Sequence, residues 1–147
     1  MPLVRIGISK TASCERARDV GDAVYNAMIA VANVPNYDRF QVVTRHEPDE
    51  IIYPEEGYLG IDYTPDLIII QVTWVGGRSN DLRLELGRRI VDICAEVLGV
   101  PKRTVLVEFT VHSGDEILRD GEWAGDWTAA EVSAERPAAF VQPAQDC

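Results

Sequence analysis

The second residue of the chain is a proline, and what it can do depends on the first. Pro2 stands directly after Met1 and opens the apolar stretch Leu3-Val4-Arg5-Ile6-Gly7-Ile8. Inside a chain such a proline merely lacks an N–H and suits the first position of a strand. With Met1 removed, as small second residues usually permit, it becomes a free secondary amine. An α-amino group has a reference pKa of about 7.7–8.0, so it gains and loses protons near neutrality. Desolvation or a neighbouring cation lowers that value further. Such a nitrogen can serve as general base, general acid or imine-forming nucleophile.

Arg78 is the second candidate. It follows Gly76-Gly77 and precedes Ser79, which is placed to cap a helix. The free N–H groups and dipole of a helix start favour an anion, and a guanidinium there can hold a carboxylate with two parallel hydrogen bonds. The glycine pair is too short for a phosphate-binding loop, which needs a longer pattern with a lysine.

The elements that must position these residues are legible from periodicity. Leu3 to Ser9 alternates, with Val4, Ile6 and Ile8 on one side of a strand. A helix is expected from about residue 12 to 32, capped by Thr11 or Ser13, with Ala17, Val20, Val24, Met28 and Val31 as its apolar stripe. Pro35 ends it, and Arg39 to Arg45 reads as the next strand. Residues 47–63 are loop-like, with a short strand expected at Ile51-Ile52. The run from Leu67 to Val75 is continuously apolar or β-branched and predicts a strand buried on both faces. A second helix carries Leu82, Leu86, Ile90, Ile93 and Val97 and stops at Gly99. Thr104 to Val111 is a strand. Ile117-Leu118 and Trp123 suggest a short hairpin.

The chain repeats itself. Val34-Pro35 and Val100-Pro101 each end a helix and lead through a short turn into a strand, and each helix follows an apolar strand and a polar turn. Two fused β-α-β units follow, about residues 2–46 and 66–111, within one α/β domain of residues 1–128, with a tail at 129–147. Right-handed crossovers put both helices on one face of a four-stranded sheet. The other face then needs covering, most simply by further subunits.

Bulk properties narrow the function. A net charge of −10 over 147 residues excludes the basic footprint of a nucleic-acid surface. Cys14, Cys94 and Cys147 are far apart and odd in number, and His46 and His112 are distant from one another. Neither a disulfide framework nor a metal site is expected, and no cofactor. No stretch has the length or apolarity of a membrane span or secretory leader, so a cytoplasmic protein is expected, with no membrane partner.

An amino-terminal proline on a doubled β-α-β plan resembles the tautomerase superfamily, over Met1 to about Trp123. Within that span, Val34-Pro35-Asn36-Tyr37-Asp38-Arg39-Phe40-Gln41 and Gly57-Tyr58-Leu59-Gly60-Ile61 resemble the malonate semialdehyde decarboxylases. Gly77-Arg78-Ser79-Asn80-Asp81-Leu82 and Arg89-Ile90-Val91-Asp92 are similar to the cis-3-chloroacrylic acid dehalogenases. The resemblance implies a homotrimer and makes Pro2 catalytic, Asp38 its acidic partner and Arg78 the residue that holds the substrate carboxylate. By itself Asp38 reads as a turn residue before a strand. Both groups carry a second arginine just before Arg78, where this chain has Trp74, Val75, Gly76 and Gly77. Met28 stands where the dehalogenases have a helix histidine. Trp74 is retained as a substrate-binding candidate, and Arg119, Arg39 and Arg5 are candidates for the missing cation, with Arg119 foremost.

The expected activity is cofactor-independent acid–base or carbonyl chemistry on a small oxo acid or unsaturated carboxylate: keto–enol tautomerisation, or decarboxylation or hydration of the malonate semialdehyde kind. The alternatives are a ferredoxin-like ligand-binding or assembly module, and a trimeric homologue without activity. The first predicts a dispensable Pro2. The second keeps the assembly and lacks turnover.

Overall fold

The computed structural model describes residues 2–113, 118–119 and 121–123. Its first strand, β1 (Pro2–Ser9), buries Val4, Ile6 and Ile8 and leaves Arg5 exposed, as the alternation predicts. The chain turns into α1 (Cys14–Ala32), where the Ser13 hydroxyl accepts the Arg16 N–H at 3.1 Å. That bond satisfies one of the donors a helix start leaves free. Asn33, at φ 53°, ends the helix in the left-handed conformation that asparagine tolerates. Then β2 (Phe40–His46) returns parallel to β1, Phe40 opposite Leu3. Parallel strands require such a crossover.

The second unit repeats the first. Strand β3 (Ile68–Val75) leads through Gly76-Gly77 into α2 (Asn80–Leu98), where the Ser79 hydroxyl accepts the Leu82 N–H at 3.2 Å. Gly99, at φ 66°, ends that helix, and β4 (Val105–His112) runs parallel to β3. The two units join through antiparallel pairing of β1 with β3, giving the sheet order β2-β1-β3-β4. Two short strands, β5 (Leu118–Arg119) and β6 (Glu122–Trp123), form the expected hairpin. Ile117 and the 129–147 tail lie outside the described residues, and no described helix is long and apolar enough to cross a membrane.

Both helices lie on one face of the sheet. Val4, Ile6, Ile70 and Val72 point toward them and meet Val20, Val24, Leu86 and Ile90, all at most 1% exposed. The opposite face carries Phe40, Val42, Arg5, Gln71, Leu106 and Glu108, with Phe40 44%, Val42 41% and Leu106 41% exposed. This corrects the expectation for β3. Its apolar run is buried on one face only, because both helices occupy the same side and, among the described residues, nothing covers Gln71 and its neighbours.

Two further expectations are corrected. In α2 the buried row is Leu86, Ile90, Cys94 and Leu98, while Val97 is 39% exposed. The helix crosses the sheet along an i, i+4 ridge, which is inclined to its axis and carries the contact away from Val97. Ile51-Ile52 forms no strand. The loop instead closes on itself further on, where Tyr58 and Ile61 exchange backbone hydrogen bonds of 3.0 Å.

The packing makes two measurable statements. Ile90→Ala removes a fully buried side chain and is expected to cost about 2–5 kcal/mol in urea unfolding, against less than about 1 kcal/mol for Val97→Ala. Burial also pushes the Cys94 thiol from its ordinary value near 9 up to about 12. The unfolded chain therefore ionises this thiol first, so its contribution to stability is complete below about pH 9 and is lost as pH rises toward 12. Cys94→Ala is expected to flatten that alkaline decline, and native Cys94 to resist thiol reagents at about pH 8 that modify it after unfolding.

Candidate active site

The antiparallel register sets Pro2 opposite Trp74. Pro2 is buried at the start of β1, where β2 also starts and β3 and β4 end. The loop leaving α1 reaches this same end through a turn in which the Asp38 N–H donates to the Pro35 carbonyl at 3.0 Å. Beyond β3, Gly76 donates to the His112 carbonyl at 2.8 Å and Gly77 adopts φ 101°, a conformation open to glycine. That turn brings Arg78 back over the strand it has just left.

The guanidinium of Arg78 lies 4.6 Å from the centre of the Trp74 ring. Beneath it, the indole is only 1% exposed and leans on Phe109, ring centres 5.4 Å apart. A cation over the face of a tryptophan is attracted by the ring quadrupole, typically by about 0.5–2 kcal/mol. Partial burial lowers the pKa of Arg78 from its ordinary value, and the Asp38 carboxylate acts in the opposite direction. At neutral pH the group remains a cation, since arginine begins far above that range. A half-desolvated cation on an apolar platform is a poor match for water and a good one for a carboxylate.

Trp74 thus has a different place from the one expected of a substrate contact. It lies within the core and supports Arg78 from below. The candidates for a second cation separate clearly. Arg39 is engaged elsewhere: it pairs with Asp22 at 2.6 Å, donates to Gln41 at 2.9 Å and lies 5.0 Å over the Tyr25 ring. Arg5 projects from the helix-free face, the other side of the sheet from Trp74. Arg119 belongs to β5, and its side chain lies outside the described residues. Met28, 1% exposed, is core.

One residue at this end has no counterpart in the sequence reading. Tyr25 of α1 donates its hydroxyl to the Pro35 carbonyl at 3.3 Å, on the loop that carries Asp38. Its pKa is raised, first by burial; Arg39 lowers it, and the Asp38 carboxylate raises it. Tyr25 lies beside the apolar stripe of α1, between Val24 and Met28, so periodicity alone assigns it to the helix flank.

The chain resembles known proteins over most of its length. Residues 38–115 match the family model described as Tautomerase enzyme. Aligned over 124 residues, 84% of this chain and 92% of the relative, it is 31% identical to the probable tautomerase YusQ of Bacillus subtilis (strain 168). The chain belongs to the tautomerase family. Among solved structures, FG41 malonate semialdehyde decarboxylase, inhibited by 3-bromopropiolate, is 29% identical; the match covers 93% of this chain and 99% of that one, with a TM-score of 0.73. A fused 4-OT, solved as an asymmetric trimer, matches 83% of this chain and 95% of its own at 18% identity and a TM-score of 0.70. At that identity it attests the tautomerase fold alone.

The indole platform has a direct spectroscopic consequence. In protein labelled at arginine, the Arg78 side-chain N–H resonance is expected to be shifted upfield by the Trp74 ring current. Trp74→Leu should return it to the ordinary arginine position while leaving the protein folded. An Arg78 resonance that Trp74→Leu leaves in place would mean that the guanidinium does not rest on the indole.

Proposed function

We propose that this tautomerase-family chain acts on a small oxo acid, using Pro2 as the proton-transferring amine and Arg78 as the carboxylate anchor. The observation that carries the reading is the convergence of Pro2, Asp38 and the Trp74–Arg78 pair on one end of the sheet, from three separate parts of the chain. With Met1 removed, the Pro2 nitrogen is a secondary amine titrating near neutrality. The cationic Arg78 disfavours a second positive charge nearby and draws that nitrogen toward its neutral, basic form. In tautomerisation, the neutral amine accepts the enol hydroxyl proton and returns it to carbon. Arg78 holds the carboxylate through both oxygens and draws electron density toward it. Asp38 orients or tunes the amine, and Tyr25 steadies the loop that carries Asp38. No metal or organic cofactor takes part in these steps.

Decarboxylation of a 3-oxo acid is the second reading, favoured by the 29% identity to FG41 malonate semialdehyde decarboxylase over almost the whole chain. There a protonated Pro2 polarises the carbonyl while Arg78 positions the carboxylate that departs. The site is proposed to work in a homotrimer. The apolar, uncovered sheet face supports that assembly, as does the trimer formed by the fused 4-OT.

The test combines mass spectrometry with a substrate screen. Loss of Met1, a single adduct at Pro2 after an oxo acid and borohydride, and turnover of an enol or a 3-oxo acid are expected. Pro2→Ala should lower the rate by about 10²–10⁴-fold, the usual range for one positioned acid–base group. Arg78→Ala should raise KM and lower kcat, with Arg78→Lys recovering only part, since lysine is a point charge. Retained Met1 without an adduct, or Arg78→Ala with full turnover, would remove this assignment.

A further inference from the structure

A groove of about 770 Å³ lies between α2 and the edge strand β4. Its floor is apolar, made by Leu84, Val91, Val107 and the Phe109 ring. Gly87 admits that ring: a Cβ there would stand 3.3 Å from Phe109 Cε2. The rim is cationic. Lys102 is held by Asp92 at 2.6 Å, and Arg83 makes a 3.3 Å hydrogen bond to Asn80. Arg83 and Arg88 have no acidic partner among the described residues. In a chain of net charge −10, this is an unusual place to gather positive charge.

The complementary surface is the loop between β2 and β3. Residues 47–66 contain seven acids, Glu47, Asp49, Glu50, Glu55, Glu56, Asp62 and Asp66, and no lysine or arginine. The tip of the loop is apolar and held in shape. Tyr53 and Tyr63 meet at its neck, and the Tyr58–Ile61 bridge closes it around Leu59-Gly60. A Cβ on Gly57 would meet the Ile61 carbonyl at 2.7 Å, so this turn requires glycine. Leu59 sits at φ 52° and is 81% exposed; Tyr58 beside it is 61% exposed. A leucine both in left-handed backbone and open to water is doubly disfavoured in the isolated chain.

We propose that the loop tip of one copy seats in the α2–β4 groove of the next. Leu59 and Tyr58 meet the apolar floor, and the loop's acids face Arg83 and Arg88. The loop leaves the edge strand β2 and the groove borders the opposite edge strand β4, so the two surfaces are distinct and the contact runs head to tail. Repeated contacts of that kind close into a ring when the rotation permits. The inference rests on the homotrimer reading and names the contact that builds it. It also ties assembly to the site, because the Phe109 that floors the groove supports Trp74 beneath Arg78.

Sedimentation of the full chain tests it. Leu59→Gly suits the left-handed backbone and removes the apolar tip; Arg88→Glu reverses the rim without touching the core. Each is expected to weaken assembly by about tenfold or more, with unchanged circular dichroism. In a Cys14→Ser, Cys147→Ser background, copies bearing Leu59→Cys should form disulfides with copies bearing Leu84→Cys, and neither variant with itself. A wild-type trimer that both variants leave intact, without the mixed disulfide, overturns the docking and leaves the trimer standing. A monomeric wild type overturns both. Disulfides between two copies of Leu59→Cys overturn the head-to-tail arrangement.

Discussion

The pairing of β1 with β3 is the constraint on which the rest depends. It is the seam between the two β-α-β units, and its register decides what stands beside Pro2. A slip of β1 by one residue would turn Val4, Ile6 and Ile8 to the uncovered face and strip the helices of that strand's share of the core. The register is therefore enforced by burial along the whole strand pair. The same enforcement fixes the position of one nitrogen at the end of β1 relative to the indole opposite. Stability and the geometry of the site are, at this point, one property.

Much of this is legible in the sequence because the signals are local. Alternation in β1, the i, i+4 rows of both helices, the Ser13 and Ser79 caps and the Val-Pro repeats each report on a few neighbouring residues, and the structure places them where the pattern does. What the pattern misses is relational. The face of β3 that stays uncovered depends on where both helices lie. Trp74 looks like a pocket residue next to Gly76-Gly77-Arg78, yet strand parity sends it into the core. Val97 fits a stripe counted along the helix but falls off the ridge that meets the sheet. Tyr25 carries no periodic mark at all; only the return of the Pro35 loop brings it near Asp38.

On the proposed reading, Arg78 is a single cation that serves where the family resemblance implies a pair. In water an exposed guanidinium holds a carboxylate weakly, because both partners are well hydrated. Here one face of the group is covered by indole, and burial already acts against its charged form. An arriving carboxylate then displaces little water from that face, and the interaction works through a lower local dielectric. Asp38 limits the effect, since its charge favours the cation and competes for it. On the proposed reading, the balance between the indole platform and the Asp38 carboxylate sets how readily Arg78 accepts a ligand.

The uncovered sheet face, the cationic groove and the acidic loop make one argument about assembly. A four-stranded sheet with helices on one side leaves apolar side chains such as Phe40, Val42 and Leu106 in water. A chain with a net charge of −10 resists close approach of its own copies unless the charge is unevenly spread. Here it is uneven: acids collect on a loop beside one sheet edge and arginines along a groove beside the other. In the proposed assembly, the asymmetry that lowers repulsion at that contact also orients it, so that neighbouring copies meet edge to opposite edge. In the proposed ring, that order leaves the bare sheet faces as the apolar surface that neighbouring copies have still to cover.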